Sequence, residues 1–376
     1  MTTVSRVAII GGGPGGLMLA RLLQERGLAP VVFERDTHAG ERPQGGSLDL
    51  HGDTGLRAIR MAGLEEAFLA HARPEDQGDR LYDSDGRLLF DHDGEGGGRP
   101  EIDRSALRRI LLDALTPGIV RWSSKVEAVV PHNDGWRVMA DGRAYEFDIV
   151  VGADGAWSRV RPLLSEAQPI YEGITFVELG YDARRHPEVD ALAGRGKMFA
   201  IGNNRALVTQ RNGHDHIRGY VALRIPEAEA RRLETLAPDD VRAVMGAAFA
   251  GWAPSLTRMI GVGDFIAVRS LYALPIGHSW QTRPGVTLLG DAAHLMAPFA
   301  GEGVNLALAD AADLADALTS GEGWPAVARY EASIVARAAP AAEEAHIGGK
   351  VTLSPNGAAP VLGHYRERLE AAQAAA

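Results

Sequence analysis

The 376-residue sequence predicts an α/β fold, in which a sheet of buried parallel strands is interrupted by an inserted antiparallel sheet and closed by a C-terminal helix. Three observations predict it. Short, mainly apolar runs at 7–10, 30–34 and 286–289 read as strands covered on both faces. Between the first two, 17–26 carries apolar residues at helical spacing and stops at Gly27, which completes a βαβ unit. From about 166 to 264 the texture changes, and strand-like runs dominate.

Taken in order, 39–55 is rich in Gly, Arg, Pro and Asp and reads as an ordered loop, and 56–72 as one helix. Residues 81–90 alternate around Asp85-Gly86 as a hairpin does. A glycine loop at 94–100 leads into a helix through Leu115, followed by strands at 126–130, 135–140 and 144–151. The second region has strands at 174–179, 197–201, 206–209 and 217–225, with a helical insert at 226–249. Helices follow at 303–318, at 331–347, where Pro340 is placed to kink or split it, and at 362–376. The domain reading is 1–165 and 265–345 for the parallel-sheet domain, 166–264 for the insert, and 346–376 for the C-terminal helical segment. Residues 73–100 are a candidate to join the inserted sheet.

Composition narrows the function. At roughly 150 residues per domain the length suits two or three domains, and 45% apolar with 23% charged residues is an ordinary globular mix. A net charge of −10 repels phosphate backbones and anionic lipid, so neither nucleic acid nor membrane is expected as a partner. The absence of cysteine excludes disulfides, thiolate metal sites and redox thiols. No leader pattern and no apolar stretch of about 18 residues is visible, so the expectation is a cytoplasmic, monomeric protein.

Chemistry enters at the turn after the first strand. Gly11, Gly13 and Gly16 fit Gly-x-Gly-x-x-Gly between a strand and a helix: the first allows the tight turn, the second lets a pyrophosphate approach, the third lets helix and strand pack closely. Glu34, eighteen residues beyond Gly16 and followed by Arg35, can accept hydrogen bonds from a ribose. This is a Rossmann-like dinucleotide site. No second copy of the fingerprint exists, so any second dinucleotide must bind transiently.

Two further segments specify the dinucleotide. Residues 150–161, with Asp154-Gly155, resemble the Asp-Gly fingerprint of FAD-dependent aromatic hydroxylases, and 288–294, with Gly290-Asp291, resemble the Gly-Asp motif of the same superfamily. Asp291 can accept hydrogen bonds from flavin sugar or ribityl hydroxyls. The glycine-rich segment with Pro298, Gly301, Gly303, Val304 and Asn305 then brings its backbone up to a helix start, whose partial positive charge suits an anionic reduced flavin ring. His294 reads as a structural hydrogen-bonding residue, and His214 with His216 lack the further ligands a metal site requires.

Within the superfamily the chain most resembles the tetracycline-inactivating monooxygenases, the tetracycline destructases, through 45–51, 100–108 and 290–305. The resemblance implies that Asp49, Arg104 and Asp291 contact FAD and that Arg42 meets the nicotinamide co-substrate. It places Glu178, Arg205, Arg218, Tyr220 and Phe299 at the substrate. It also implies single-component chemistry, in which NAD(P)H, with NADPH favoured, reduces FAD, O₂ adds to give a flavin C4a-hydroperoxide, and one oxygen passes to an aromatic, phenolic or polyketide small molecule. No side-chain nucleophile and no metal are needed. Glu178, Arg218 and Tyr220 stand where tetracycline-attacking members offer Gln, His and Gly, which leaves tetracycline open as a substrate. The competing readings are an FAD-dependent reductase or dehydrogenase acting without oxygen and a non-catalytic flavin-binding redox module. The six tryptophans never fall two apart, which excludes a halogenase Trp-x-Trp segment.

Overall fold

The computed structural model describes residues 6–41, 45–94 and 98–375. Two compact units divide the chain: the first comprises Met1–Ala72, Asp103–Ile170 and Tyr272–Ala345, the second Arg73–Ile102, Tyr171–Leu271 and His346–Ala376.

The first unit is built on a five-stranded parallel sheet in the order Val286–Leu288, Ile149–Gly152, Val7–Ile10, Val31–Phe33, Val120–Arg121. Strand Val7–Ile10 is buried along its whole length, and Ile149–Gly152 is buried except at Ile149, because helices cover the sheet, which is why the sequence shows no alternation there. Helix Pro14–Glu25 buries Leu17, Met18, Leu19, Leu22 and Leu23 completely. Each such side chain contributes about 1.5–3 kcal/mol. A three-stranded antiparallel sheet, Val126–His132, Gly135–Ala140 and Arg143–Phe147, accompanies the parallel one.

Some local expectations are corrected. The predicted helix 56–72 is two helices, Gly55–Met61 and Glu65–Leu69, because Gly63 takes φ +68° and ends the first. Ser47–Asp49 is a strand within the expected loop. The helix Trp324–Thr352 runs through Pro340 without splitting and starts seven residues earlier than its apolar pattern suggested.

The second unit carries a seven-stranded sheet in the order Asp264–Ala273, Ile170–Asp182, His216–Arg224, Arg205–Arg211, Gly196–Gly202, Gly78–Asp83, Leu88–His92. Every described pairing within it is antiparallel except Gly196–Gly202 with Gly78–Asp83. One face is apolar: Val177, Leu179, Tyr181, Met198, Ala200, Leu207, Ile217 and Val221 pack with helices Pro238–Ala248 and Pro254–Val262 through Val241, Met245, Leu256 and Met259. Because strand side chains alternate, the intervening residues occupy the other face.

Candidate active site

The fingerprint glycines are required by contact. Gly11 has φ +112°, and a Cβ on it would lie 2.3 Å from the Ala153 carbonyl oxygen; a Cβ on Gly16 would lie 2.1 Å from the Gly11 carbonyl oxygen. At Gly13 a Cβ would meet nothing within 4 Å, so the side open to a ligand is there. Helix Pro14–Glu25 starts at Gly13 with no side-chain cap, leaving its first N–H groups to a phosphate. The buried Glu34 carboxylate holds the loop: its oxygens accept from Gly12 N–H at 2.8 Å and Asp36 N–H at 2.9 Å. Arg108 braces the pair, 3.3 Å from Asp36 and 3.9 Å from Glu34. Arg35 is exposed beside them.

The Asp-Gly and Gly-Asp segments end neighbouring strands of the same sheet. Asp154 Oδ2 accepts from Arg159 N–H at 2.6 Å, while its buried Oδ1 has no hydrogen-bond partner. Burial raises the pKa of this carboxyl against the pull of Ser158 and the backbone amides. Asp291 keeps an accessible side chain although dense protein surrounds it; that desolvation raises its pKa, and His294 and Arg104 partly oppose the rise. The structure thus brings Arg104 and Asp291 within electrostatic reach. Arg161, which no functional reading had used, ties the two motifs together: fully buried, it donates to the carbonyls of Ala156 at 2.7 Å, Ala292 at 3.2 Å and Ala167 at 3.2 Å.

His294 is structural. Its Nε2 lies 2.6 Å from Asp310, whose other oxygen takes Arg337 at 2.8 Å. Burial would lower the histidine's pKa, but Asp310 more than offsets it and the pKa is raised.

The 298–305 segment is a single 3₁₀ turn, Pro298–Ala300, followed by helix Gly303–Thr319, again with no side-chain cap. Pro298 is exposed, Phe299 and Val304 half-buried. Asn305 is fully buried, and its amide binds protein: Oδ1 accepts from His51 N–H at 2.9 Å and Nδ2 donates to the Asp49 carbonyl at 2.9 Å. His51 then bridges Asp49, at 3.3 Å, and Glu302, at 3.1 Å, and hydrogen bonds to these two acids raise its pKa to about 9. Neither His51 nor Glu302 was singled out in the sequence; the signal lay in the 45–51 stretch, but its partner is some 250 residues away. Arg42 lies outside the described residues.

In the second unit, Glu178 pairs across strands with Tyr220, and Gly180 with Arg218, so Glu178, Tyr220 and Arg218 share one sheet face. Phe176 is on that face too, its ring 5.5 Å from the Tyr220 ring. Arg205 lies apart from them: its register partner is Leu223, five residues from Arg218, which puts it on the opposite, apolar-core face. The arginine that does join the group is Arg269, whose Nε donates to Glu178 at 2.7 Å, with Arg218 3.6 Å from the other oxygen.

Several features fit FAD. An open glycine turn and two uncapped helix N-termini suit phosphate and an electron-rich ring, the unpartnered Asp154 oxygen suits a donor, and the Arg104–Asp291 pair suits sugar and ribityl hydroxyls. Fold and site define the class, an FAD-dependent monooxygenase. The chain is 32% identical over 371 residues to the monooxygenase asqM of Emericella nidulans, covering 83% of both proteins. It is 31% identical over 338 residues to the 3-amino-4-hydroxybenzoate 2-monooxygenase PtmB3 of Streptomyces platensis, covering 87% of this chain and 83% of that one. The family model described as FAD binding domain, FAD_binding_3, matches residues 4–343, and the chain belongs to that family. The fold also matches the crystal structure of tetracycline destructase Tet(51), with TM-score 0.74 and 21% identity, over 98% of this chain and 95% of that one.

Proposed function

We propose that this monooxygenase takes electrons from NAD(P)H, with NADPH favoured, and inserts one oxygen atom from O₂ into a small phenolic, polyketide or carboxylate-bearing aromatic, tetracycline-type compounds being one candidate class. The observation that carries the substrate reading is the Arg218–Glu178–Arg269 cluster beside the Phe176–Tyr220 ring pair on one sheet face. Two guanidiniums around one carboxylate leave a net positive, hydrogen-bond-donating surface next to aromatic rings. Such a surface suits a flat substrate with acceptor oxygens. The benzoate in the name of the PtmB3 substrate is of that chemistry.

FAD would be held by the Gly11–Gly16 turn, Arg104, Asp154, Asp291 and Asp49. When bound, it supplies the redox chemistry that activates O₂. The protein's own part is placement. Uncapped N–H groups at Gly303 and Val304 would stabilise negative charge on the FAD ring system. Glu34, Arg161 and Asn305 hold the binding loops in place, and Glu178 orients the two arginines. Arg42 is assigned to the nicotinamide co-substrate.

The test is NADPH oxidation by the FAD-loaded protein, under air and under argon, across phenols, aromatic carboxylates and tetracyclines. Substrate-stimulated, oxygen-dependent oxidation with a product heavier by one oxygen is expected. Equal turnover under argon would establish the oxygen-independent reductase instead.

A further inference from the structure

Apart from the residues assigned to FAD or substrate, the first unit contains a cavity of about 20 Å³. It lies between the 274–280 segment, the end of the Asp291–His294 turn and one face of helix Trp324–Thr352. That volume suits a single water-sized occupant. The helix wall, with Ile334, Val335 and Ala338, is purely aliphatic. The facing wall mixes apolar residues, among them Leu274, Pro275 and Leu295, with three nitrogen-bearing rings, and two of its nitrogens, Trp280 Nε1 and His294 Nδ1, are buried without a hydrogen-bond partner. His278, the other polar side chain, is occupied: Nδ1 pairs with the Ala293 carbonyl at 2.7 Å and Nε2 with Ser165 Oγ at 2.9 Å. Two idle nitrogens on residues that line one space call for an occupant, since a buried donor left unbonded is costly.

The chemistry of that occupant follows from the donors. An indole N–H only donates. His294 Nε2 must carry a proton toward Asp310, and its 2.6 Å separation is that of a charged pair. Asp310 also accepts from Gly290 N–H at 3.0 Å and from Arg337 at 2.8 Å, so it stays ionised and holds the imidazole charged. Nδ1 is then a donor as well. The remaining nearby acid, Asp291, reinforces the imidazolium. Asp310 itself is matched by His294 and Arg337 together, so its charge does not repel a second anion from the far side of the ring.

We propose that this cavity is a binding site for one monatomic halide, such as chloride, held between the Trp280 and His294 N–H groups against the aliphatic face of the 324–352 helix.

Crystals of the FAD-loaded protein soaked in sodium bromide should show an anomalous peak in the cavity, within hydrogen-bond reach of both nitrogens. A feature of water strength with no anomalous signal would overturn the proposal. In solution, replacing gluconate by chloride at constant ionic strength should raise the melting temperature by about 2 °C. Trp280→Phe preserves the ring and should abolish that rise. If the variant gains as much from chloride as the parent, or if the parent gains nothing, the site is not a halide site.

Discussion

Asn305 and His51, 254 positions apart, are joined by a 2.9 Å hydrogen bond from the His51 backbone N–H to the Asn305 side-chain oxygen. With the reciprocal bond from Nδ2 to the Asp49 carbonyl, the buried amide locks the 47–51 segment onto the first turn of helix Gly303–Thr319. Asn305→Ala leaves an N–H and a C=O unpaired inside the protein. The expected loss is about 2–4 kcal/mol of stability, by the usual cost of two orphaned buried groups, with weaker FAD retention because Asp49 loses its anchor. An unchanged melting temperature would show that the amide is dispensable.

His51 makes the same junction sensitive to pH. Its pKa rises from an ordinary 6.5 to about 9 in the folded protein because Asp49 and Glu302 hydrogen-bond the charged ring. A histidine whose folded value is raised stabilises fully below its unfolded pKa and loses that stabilisation as pH climbs through the folded one. Stability should therefore decline between pH 6.5 and 9, by at most about 3 kcal/mol for a shift of this size. Denaturant midpoints across that range should fall for the parent and much less for His51→Gln.

Asp291 should behave oppositely toward fold and cofactor. Its raised pKa means that the folded protein disfavours the carboxylate, so the charge is held at a cost to stability. Asp291→Asn is expected to leave the apoprotein's melting temperature unchanged or higher while weakening FAD binding about tenfold to a hundredfold, the worth of one charge-assisted bond. Flavin fluorescence titration and apoprotein melts read the two effects separately.

What the sequence discloses here is whatever is local. The βαβ unit was legible because strands buried on both faces must be continuously apolar, and the glycine turn because only glycine survives contacts of 2.1–2.3 Å. The hairpin strands Gly78–Asp83 and Leu88–His92 were legible from Asp85-Gly86 and the alternation around it. The edge strand Val120–Arg121 is two residues long and has no period to detect. Arg161 sat in view within a fingerprint, yet its carbonyl partners at 156, 167 and 292 are fixed only by the folded chain. Asn305 was placed rightly at a helix start, but nothing in the residue order tells that its amide faces inward. The 91-residue separation of Glu178 and Arg269 carries no periodic signal either.

The choice of arginine in the seven-stranded sheet rests on register, where a slip of one residue exchanges faces. The Gln210–Arg218 and Arg205–Leu223 pairings put Arg205 on the face that packs the second unit's core, and Arg218 on the face of Glu178 and Tyr220. Arg269, with its Nε on Glu178, is the more exposed of the two guanidiniums, 54% of its side chain against 13% for Arg218, and so the one better placed to turn toward a substrate. Arg269→Ala should raise the KM for an anionic aromatic about tenfold, the scale of one charge-assisted contact partly open to solvent, with basal NADPH oxidation unchanged. Arg205→Ala should leave that KM where it is. Glu178→Gln should also raise the KM, because it unpins both arginines, and in that background Arg269→Ala should add less than it does alone. The reverse ordering, with Arg205 controlling KM and Arg269 silent, would mean that the substrate meets the other face of the sheet.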